Sequence, residues 1–290
     1  MSDVYAHPDV AAIVAFALQE DLRDAGDITC RALVPRGSRL SGVVRAKQAG
    51  VVCGLPLFAH VFRVLGGGVA VERCAADGTR VVPGDEVLRC AGDAGVMLMG
   101  ERTALNLVQR LSGVASETRR YADAVAGTKA AILDTRKTTP GLRILQKHAV
   151  ACAGGANHRI GLYDQALIKE NHIALMPADG GSRGPAEAVR RARAALGSAL
   201  IEVEIETLDD LEGVIAAGAD IVLLDNCAPD VVRAAVRQRG DRRVLLEASG
   251  GITLANVRAF AETGVDRISI GALTHSSGAL DLSLRCAPIA

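Results

Sequence analysis

The chain has no tryptophan, and aromatic residues make up 2% of its 290 positions. Proteins that grip single-stranded nucleic acid stack bases on aromatic rings, so that function has no support here. There is no charge excess either: Lys+Arg and Asp+Glu number 33 each. No global field draws the chain to nucleic acid or to a membrane, and any cationic site must be a local concentration in a neutral body. No apolar run is long enough to span a bilayer. The seven cysteines (Cys30, Cys53, Cys74, Cys90, Cys152, Cys227 and Cys286) form no CxxC and show no zinc spacing. Odd in number and scattered, they suit reduced thiols. No charged-then-apolar leader precedes Pro8, and the expectation is a cytoplasmic protein. GxGxxG, HExxH and a Ser-His-Asp order are missing as well, which discounts dinucleotide binding and the hydrolases built on those patterns.

What is present is a globular composition, 49% hydrophobic and 23% charged. That is enough for one large domain, or for a barrel with a companion. Residues 8–22 carry a helix signal, with Pro8 at its start and Ile13, Phe16, Ala17 and Leu22 on the expected inner face. Alternating apolar residues predict strands between 40 and 52, turning at Gly50, and short strands at 69–71, 80–82 and 86–90. A helix is expected over 55–65 and another over 100–120, with Gly113 as a kink or join. Arg102 then falls in a first turn, where the helix dipole disfavours a cation.

From Lys129 the texture changes. The apolar segments AAILD, ALIKE, LIEVEIE, IVLLDN, RVLLEASGG and RISIGA read as strands. Helical patterns separate the later ones, at 185–196, 208–217, 229–239 and 254–263. Such alternation means βα units on a parallel sheet. A seventh strand is expected near 157–160. The fold class is α/β: an incomplete, seven-stranded α/β barrel over 113–275 and an α+β sandwich over 1–112, to which 276–290 returns.

Strand C-termini share one mouth in such a barrel. That mouth collects Thr135, Arg136 and Lys137, then His158 and Arg159, Lys169, Glu204, Asp225, the Ser249–Gly250–Gly251 turn, and Gly271 with Ala272. Cations gathered there make a trap for a polyanion. Glu204 and Asp225 either hold a hard divalent ion or pair with the cations. Glu202 projects to the same face as Glu204, and composition does not choose between them. The two glycine-bearing turns let backbone approach a phosphate. Lys137 or Lys169 is also open to a Schiff-base role if desolvated.

The run DTRKTTPGLRILQKHAV…GGANHRIGLYDQALIKENHI closely resembles the quinolinate phosphoribosyltransferase family. So do GERTALNLVQRLSG, EVEIETLDDL, GADIVLLDN, LEASGGI and GVDRISIGALTHS. The resemblance implies transfer of phosphoribose from phosphoribosyl pyrophosphate to quinolinate with decarboxylation, using Mg2+, on the route to NAD. It implies a homodimer in which Arg102 of one subunit reaches the quinolinate of the other. Arg136, His158 and Arg159 would hold the two carboxylates, and Lys137 and Lys169 would line the pocket. Glu204 and Asp225 would face ribose and Mg2+, and Ser249, Gly250, Gly251, Gly271 and Ala272 would take phosphate. Rival readings are a nicotinate phosphoribosyltransferase and a non-catalytic paralogue of the kind associated with molybdate transport.

Overall fold

The computed structural model describes residues 4–177 and 183–289, so positions 1–3 and 290 of the expected sandwich domain and 178–182 of the expected barrel lie outside it. In chain order its regular elements are α1 (Pro8–Leu22), α2 (Ile28–Leu33), β1 (Arg39–Ala46), β2 (Gly50–Val51), α3 (Leu55–Val64), β3 (Val69–Arg73), β4 (Arg80–Val81), β5 (Glu86–Asp93) and α4 (Ala94–Ala124). There follow β6 (Ala131–Leu133), α5 (Arg143–Cys152), β7 (Ala166–Ile168), α6 (Glu170–Ala174), α7 (Pro185–Leu196), β8 (Ile201–Ile205), α8 (Leu211–Ala216) and β9 (Ile221–Asp225). The last are α9 (Pro229–Arg239), β10 (Leu245–Ser249), α10 (Val257–Ala261), β11 (Arg267–Ser269), α11 (Ala272–His275) and β12 (Leu282–Ile289). They form two units: Met1–Arg119 with Thr138–Gly154 and Leu273–Ala290, and Arg120–Lys137 with Gly155–Ala272. The stretch 138–154 groups with the first unit, whereas the sequence alone keeps it with the barrel.

The first unit is built on a four-stranded antiparallel sheet in the order β12-β1-β5-β3. Val44 lies opposite Leu88 and Gly42 opposite Cys90, and these four residues are buried. Beside them the core takes Leu57, Phe58, Val61 and Phe62 from α3 and Leu105, Val108 and Leu111 from α4. The inner face of α1 differs from expectation. Val10, Val14 and Leu18 are buried, and Phe16 is 67% exposed. Apolar residues surround this helix, so periodicity permits two faces, and its packing on α3 decides.

Helix α4 starts earlier than expected, where Asp93 Oδ1 caps it by accepting from the Val96 amide at 2.9 Å. Arg102 therefore sits well inside the helix, and the first-turn dipole argument falls. Gly113 is neither kink nor join. A Cβ there would stand 1.8 Å from the Gly278 carbonyl oxygen, so glycine is needed for two backbones to touch within a continuous helix.

The second unit holds six parallel strands in the order β6-β11-β10-β9-β8-β7. No regular strand forms at 157–160. The seventh segment is a single parallel bridge between Ala156 and Leu133, on the free side of β6. Among the described residues β7 gains no partner beyond β8, so the barrel is incomplete, as expected. Its N-terminal end is held by ion pairs at Asp266. Asp266, just before β11, meets Lys129 Nζ at 2.8 Å, the Arg239 guanidinium, and the Leu246 amide at 2.9 Å.

Candidate active site

Register brings the C-terminal strand ends together. Ser249 of β10 pairs with Asp225 of β9, Ser269 of β11 with Leu133 of β6, and Ile168 of β7 with Val203 of β8. Because every strand is parallel, Thr135–Lys137, Lys169, Glu204, Asp225, Ser249–Gly251 and Gly271 all emerge at the same end of the unit.

The cations are placed by buried anchors. Asp134 is wholly buried and accepts from Asn157 Nδ2 at 2.6 Å and from the His158 amide at 3.0 Å. It thereby fastens the loop after β6 to the segment carrying Arg159. Arg159 in turn donates through Nη1 to the Gln165 carbonyl at 3.2 Å. Burial, and then the charge of Arg136 nearby, hold the Arg159 pKa below its ordinary value. The two guanidiniums are thus close enough to repel, which is the condition for a site that gains by binding a dianion. Thr135 shapes the turn by accepting the Lys137 amide at 3.0 Å, and Lys137 itself is exposed.

Below these cations the inner face carries an unusual polar cluster. His158 is 7% exposed, and its Nε2 lies 3.0 Å from Glu202 and 3.4 Å from Glu247, both fully buried. Gln165 Nε2 donates to Glu202 at 2.5 Å, and Arg267 Nε lies 3.0 Å from Glu247. One ring reaching carboxylates on β8 and β10, with β9 between them, shows how strongly the sheet curls. Burial disfavours the charged ring, but the two carboxylates outweigh it and lift His158 to about 9. Nδ1, however, accepts the Arg159 amide at 2.7 Å, which requires a lone pair there. Nε2 therefore carries the single ring proton toward Glu202. Desolvation raises the pKa of Glu202, so burial disfavours charge on both partners of this pair.

Glu204 has a different neighbour. Its Oε2 lies 2.5 Å from Lys169 Nζ, and the side chain is 9% exposed. Burial raises its pKa against the pull of Lys169, and Asp225 adds to the rise, which places Asp225 within electrostatic reach. Asp225 accepts from Asn226 Nδ2 at 2.7 Å, and Asn226 adopts a left-handed backbone with φ 52°. A non-glycine residue in that region is a local cost, held here by its amide bond to the Ser249 carbonyl at 2.9 Å. Gly250, at φ 91°, completes the arrangement: a Cβ would stand 2.2 Å from Asn226 Oδ1. Gly251 follows at φ 62° and is exposed. The helix after this turn begins at Val257 rather than near Thr253, because the Asn256 side chain first closes a loop onto the Thr253 amide.

Of the residues expected at the mouth, the structure puts Arg136, Lys137, Arg159, Lys169, Glu204, Asp225, Ser249, Gly250, Gly251, Gly271 and Ala272 at the strand ends. His158 is at the floor. Arg102 belongs to the first unit, exposed on a cleft of ≈ 390 Å³ that Glu20, Asp21, Asn106 and Arg110 also line. His172 is a cap: its Nδ1 accepts the Lys169 amide at 3.0 Å. Glu247, Arg267 and Asn226 were not singled out from the sequence. Glu247 sits mid-strand in an apolar run, and that buried acid was the available signal. For the magnesium that the resemblance implies, the hard oxygen donors available at this end are Glu204 and Asp225. Two carboxylates suffice where phosphates complete the shell.

Comparison with known proteins identifies the family. Residues 27–112 match the quinolinate phosphoribosyl transferase N-terminal domain, and residues 114–285 match its C-terminal domain. The nicotinate-nucleotide pyrophosphorylase [carboxylating] of Mycobacterium leprae is 44% identical over 272 residues, covering 92% of this chain and 94% of its own. A probable enzyme of the same name from Bacillus subtilis is 44% identical over 260 residues, covering 89% and 87%. The solved structure of the nicotinate-nucleotide pyrophosphorylase from Francisella tularensis superposes with a TM-score of 0.90 at 36% identity, covering 99% of this chain and 100% of that one. With both domain matches in sequence order and the full fold shared, the chain belongs to the quinolinate phosphoribosyl transferase family.

Proposed function

We propose that the chain makes nicotinate mononucleotide, carbon dioxide and pyrophosphate from quinolinate and phosphoribosyl pyrophosphate. The observation that carries this reading is the pair Arg136 and Arg159, held close enough to oppose each other's charge at the rim of the barrel unit. Guanidiniums match carboxylates with paired hydrogen bonds, and a pyridine with two carboxylates relieves the repulsion. Nicotinate, with one carboxylate, leaves a desolvated cation unmatched. With both ring nitrogens of His158 already engaged, we assign it to aligning Arg159 rather than to touching a carboxylate itself.

Lys137 and Lys169 lie where the phosphoribosyl group would enter, with Ser249, Gly250, Gly251, Gly271 and Ala272 presenting backbone to phosphate. Mg2+, held by Glu204 and Asp225 directly or through water, would screen the departing pyrophosphate. As the C1–O bond of the ribose breaks, positive charge develops on the sugar, and the Glu204 and Asp225 carboxylates stabilise it. The quinolinate nitrogen donates its lone pair to C1. The resulting pyridinium charge stabilises the electron pair left on the ring carbon when the adjacent carboxylate departs as carbon dioxide, and a proton from water then takes that pair to form the C–H bond of the product. No protein nucleophile is needed, and positioning supplies much of the catalysis.

Arg102, exposed on α4, would serve a partner subunit's site in a homodimer. Arg102→Ala and Arg136→Ala chains, each impaired alone, should regain part of the activity when mixed. The central test is mass-spectrometric detection of nicotinate mononucleotide from quinolinate, with and without Mg2+, beside nicotinate as competitor substrate. Turnover of nicotinate but not quinolinate would overturn the reading.

A further inference from the structure

The first unit contains a second constellation that the reaction does not use. Three segments meet there. Cys53 lies between β2 and α3, and Asp77 in the turn before β4. His148 and Cys152 stand four apart on α5, the spacing that puts two side chains on one helix face. The donor atoms of Cys53, His148 and Cys152 all lie within 4.8 Å of one another. The two sulfurs are 3.3 Å apart. Asp77 Oδ2 is 3.4 Å from His148 Nε2 and 3.9 Å from Cys53 Sγ.

We propose that Cys53, His148 and Cys152, with the Asp77 carboxylate at the fourth corner, form a structural zinc site. Two sulfurs, one imidazole and one carboxylate are the donor types zinc takes in a tetrahedral shell. Thiolates at about 2.3 Å from a shared ion stand about 3.8 Å apart, so the sulfurs need to open by only about half an ångström. The surrounding shell is already built. Tyr5 donates its hydroxyl to Asp77 Oδ2, and the Leu55 amide donates to Oδ1 at 3.0 Å. The Tyr5 and His148 rings meet edge to face with centroids 5.1 Å apart. Such outer bonds fix ligand orientation before the ion arrives.

The backbone frame is equally fixed. The Gly78 amide donates to the Val52 carbonyl at 2.8 Å, tying the Asp77 turn to the segment before Cys53. A Cβ on Gly78 would stand 2.7 Å from the Cys152 carbonyl, so that turn rests directly on the end of α5. Asp77 and His148 line a cleft of ≈ 600 Å³ that gives an ion a path in. The Cys152 thiol, and then burial, raise the pKa of Cys53, so its proton must leave as the dication enters. The sequence shows no zinc spacing because the ligands come from three separate segments.

The intact chain, purified in reductant and stripped with chelator, is titrated with Zn2+ and separately with Co2+. One zinc per chain is expected. Cobalt should give the intense visible bands of a tetrahedral ion and a thiolate-to-metal charge-transfer band. Cys53→Ser and Cys152→Ser should lose that band, and Tyr5→Phe, which keeps all four ligands, should weaken zinc binding about 10-fold. Substoichiometric binding, a cobalt spectrum without the thiolate band, or a Cys53–Cys152 disulfide trapped by alkylation would each overturn the proposal. If the serine variants do not fold, the cobalt spectrum of the parent chain decides alone.

Discussion

Glu202 and Glu204 lie two positions apart on β8 and project to the same face, yet one is sealed and the other works at the rim. Glu202 is wholly buried, 3.0 Å from His158 Nε2, while Glu204 Oε2 meets Lys169 Nζ at 2.5 Å. The strand rises about 6–7 Å between them, enough to separate floor from mouth.

Their substitutions should therefore part company. Glu204→Gln is expected to keep the melting temperature and lower kcat about 100-fold or more, since it removes charge from where the transition state develops it. Glu202→Gln, an isostere that keeps the volume and an oxygen facing His158, should cost less than truncation. Glu202→Ala should destabilise by about 3 kcal/mol or more, because it leaves His158 and Gln165 facing a cavity. Thermal melts and steady-state kinetics on the three variants check this.

Arg136→Ala and Arg159→Ala should each lose about 1.5–3 kcal/mol of charge-assisted binding, roughly ten- to hundred-fold in kcat/KM for quinolinate. Arg→Lys at either position should recover only part, because an ammonium does not reproduce the planar fork. Kinetics with phosphoribosyl pyrophosphate saturating isolate the quinolinate effect.

Gly113→Ala should destabilise the first unit by about 1–3 kcal/mol or prevent its folding, since the added methyl meets the Gly278 carbonyl oxygen at 1.8 Å. Gly127→Ala, with nothing within 4 Å of the added carbon but φ 81°, should cost only the backbone strain. Chemical denaturation of both variants separates packing from strain.

Acid should weaken the barrel through Asp266. Burial alone would raise its pKa, but the Leu246 amide, Lys129 and Arg239 together hold it lowered. A depressed folded pKa contributes stability that is present above the unfolded value, about 3.9, and lost as pH falls through the folded one. Asp266→Asn should be less stable at neutral pH and should lose less on acidification below about pH 4. Melting curves across that range, equal in slope for both proteins, would contradict it.

Much of the architecture could be read from the chain because its signals are local. Pro8, Pro185 and Pro229 each open a helix at the expected residue, and alternation of strand and helix located six parallel strands. Helices α2, α5, α6 and α11 and strand β12 escaped. Helix α2 is announced only by Asp27, whose carboxylate caps the Thr29 and Cys30 amides, and it buries none of its residues. Helix α5 lies inside a polar, cation-rich run and buries Gln146 and Lys147 beside Leu145, Ala149 and Val150. The rim residues were legible because strand ends mark them. The floor was not, since Glu202, Glu247 and Arg267 acquire their meaning from a curl that brings β8 and β10 round to one imidazole. Asn226 was equally hidden, because nothing local in the sequence announces its left-handed backbone.

The partner of β1 is supplied from the far end of the chain: Arg39 pairs with Ile289 and Ala46 with Leu282. A ribosome releases β1 and β5 long before it makes β12, so during most of synthesis one flank of that sheet stands bare. Such a flank invites pairing with a neighbouring nascent chain. Shortening the gene before the codon for Leu282 should thus yield aggregates rather than a smaller folded protein, even with every rim residue in place.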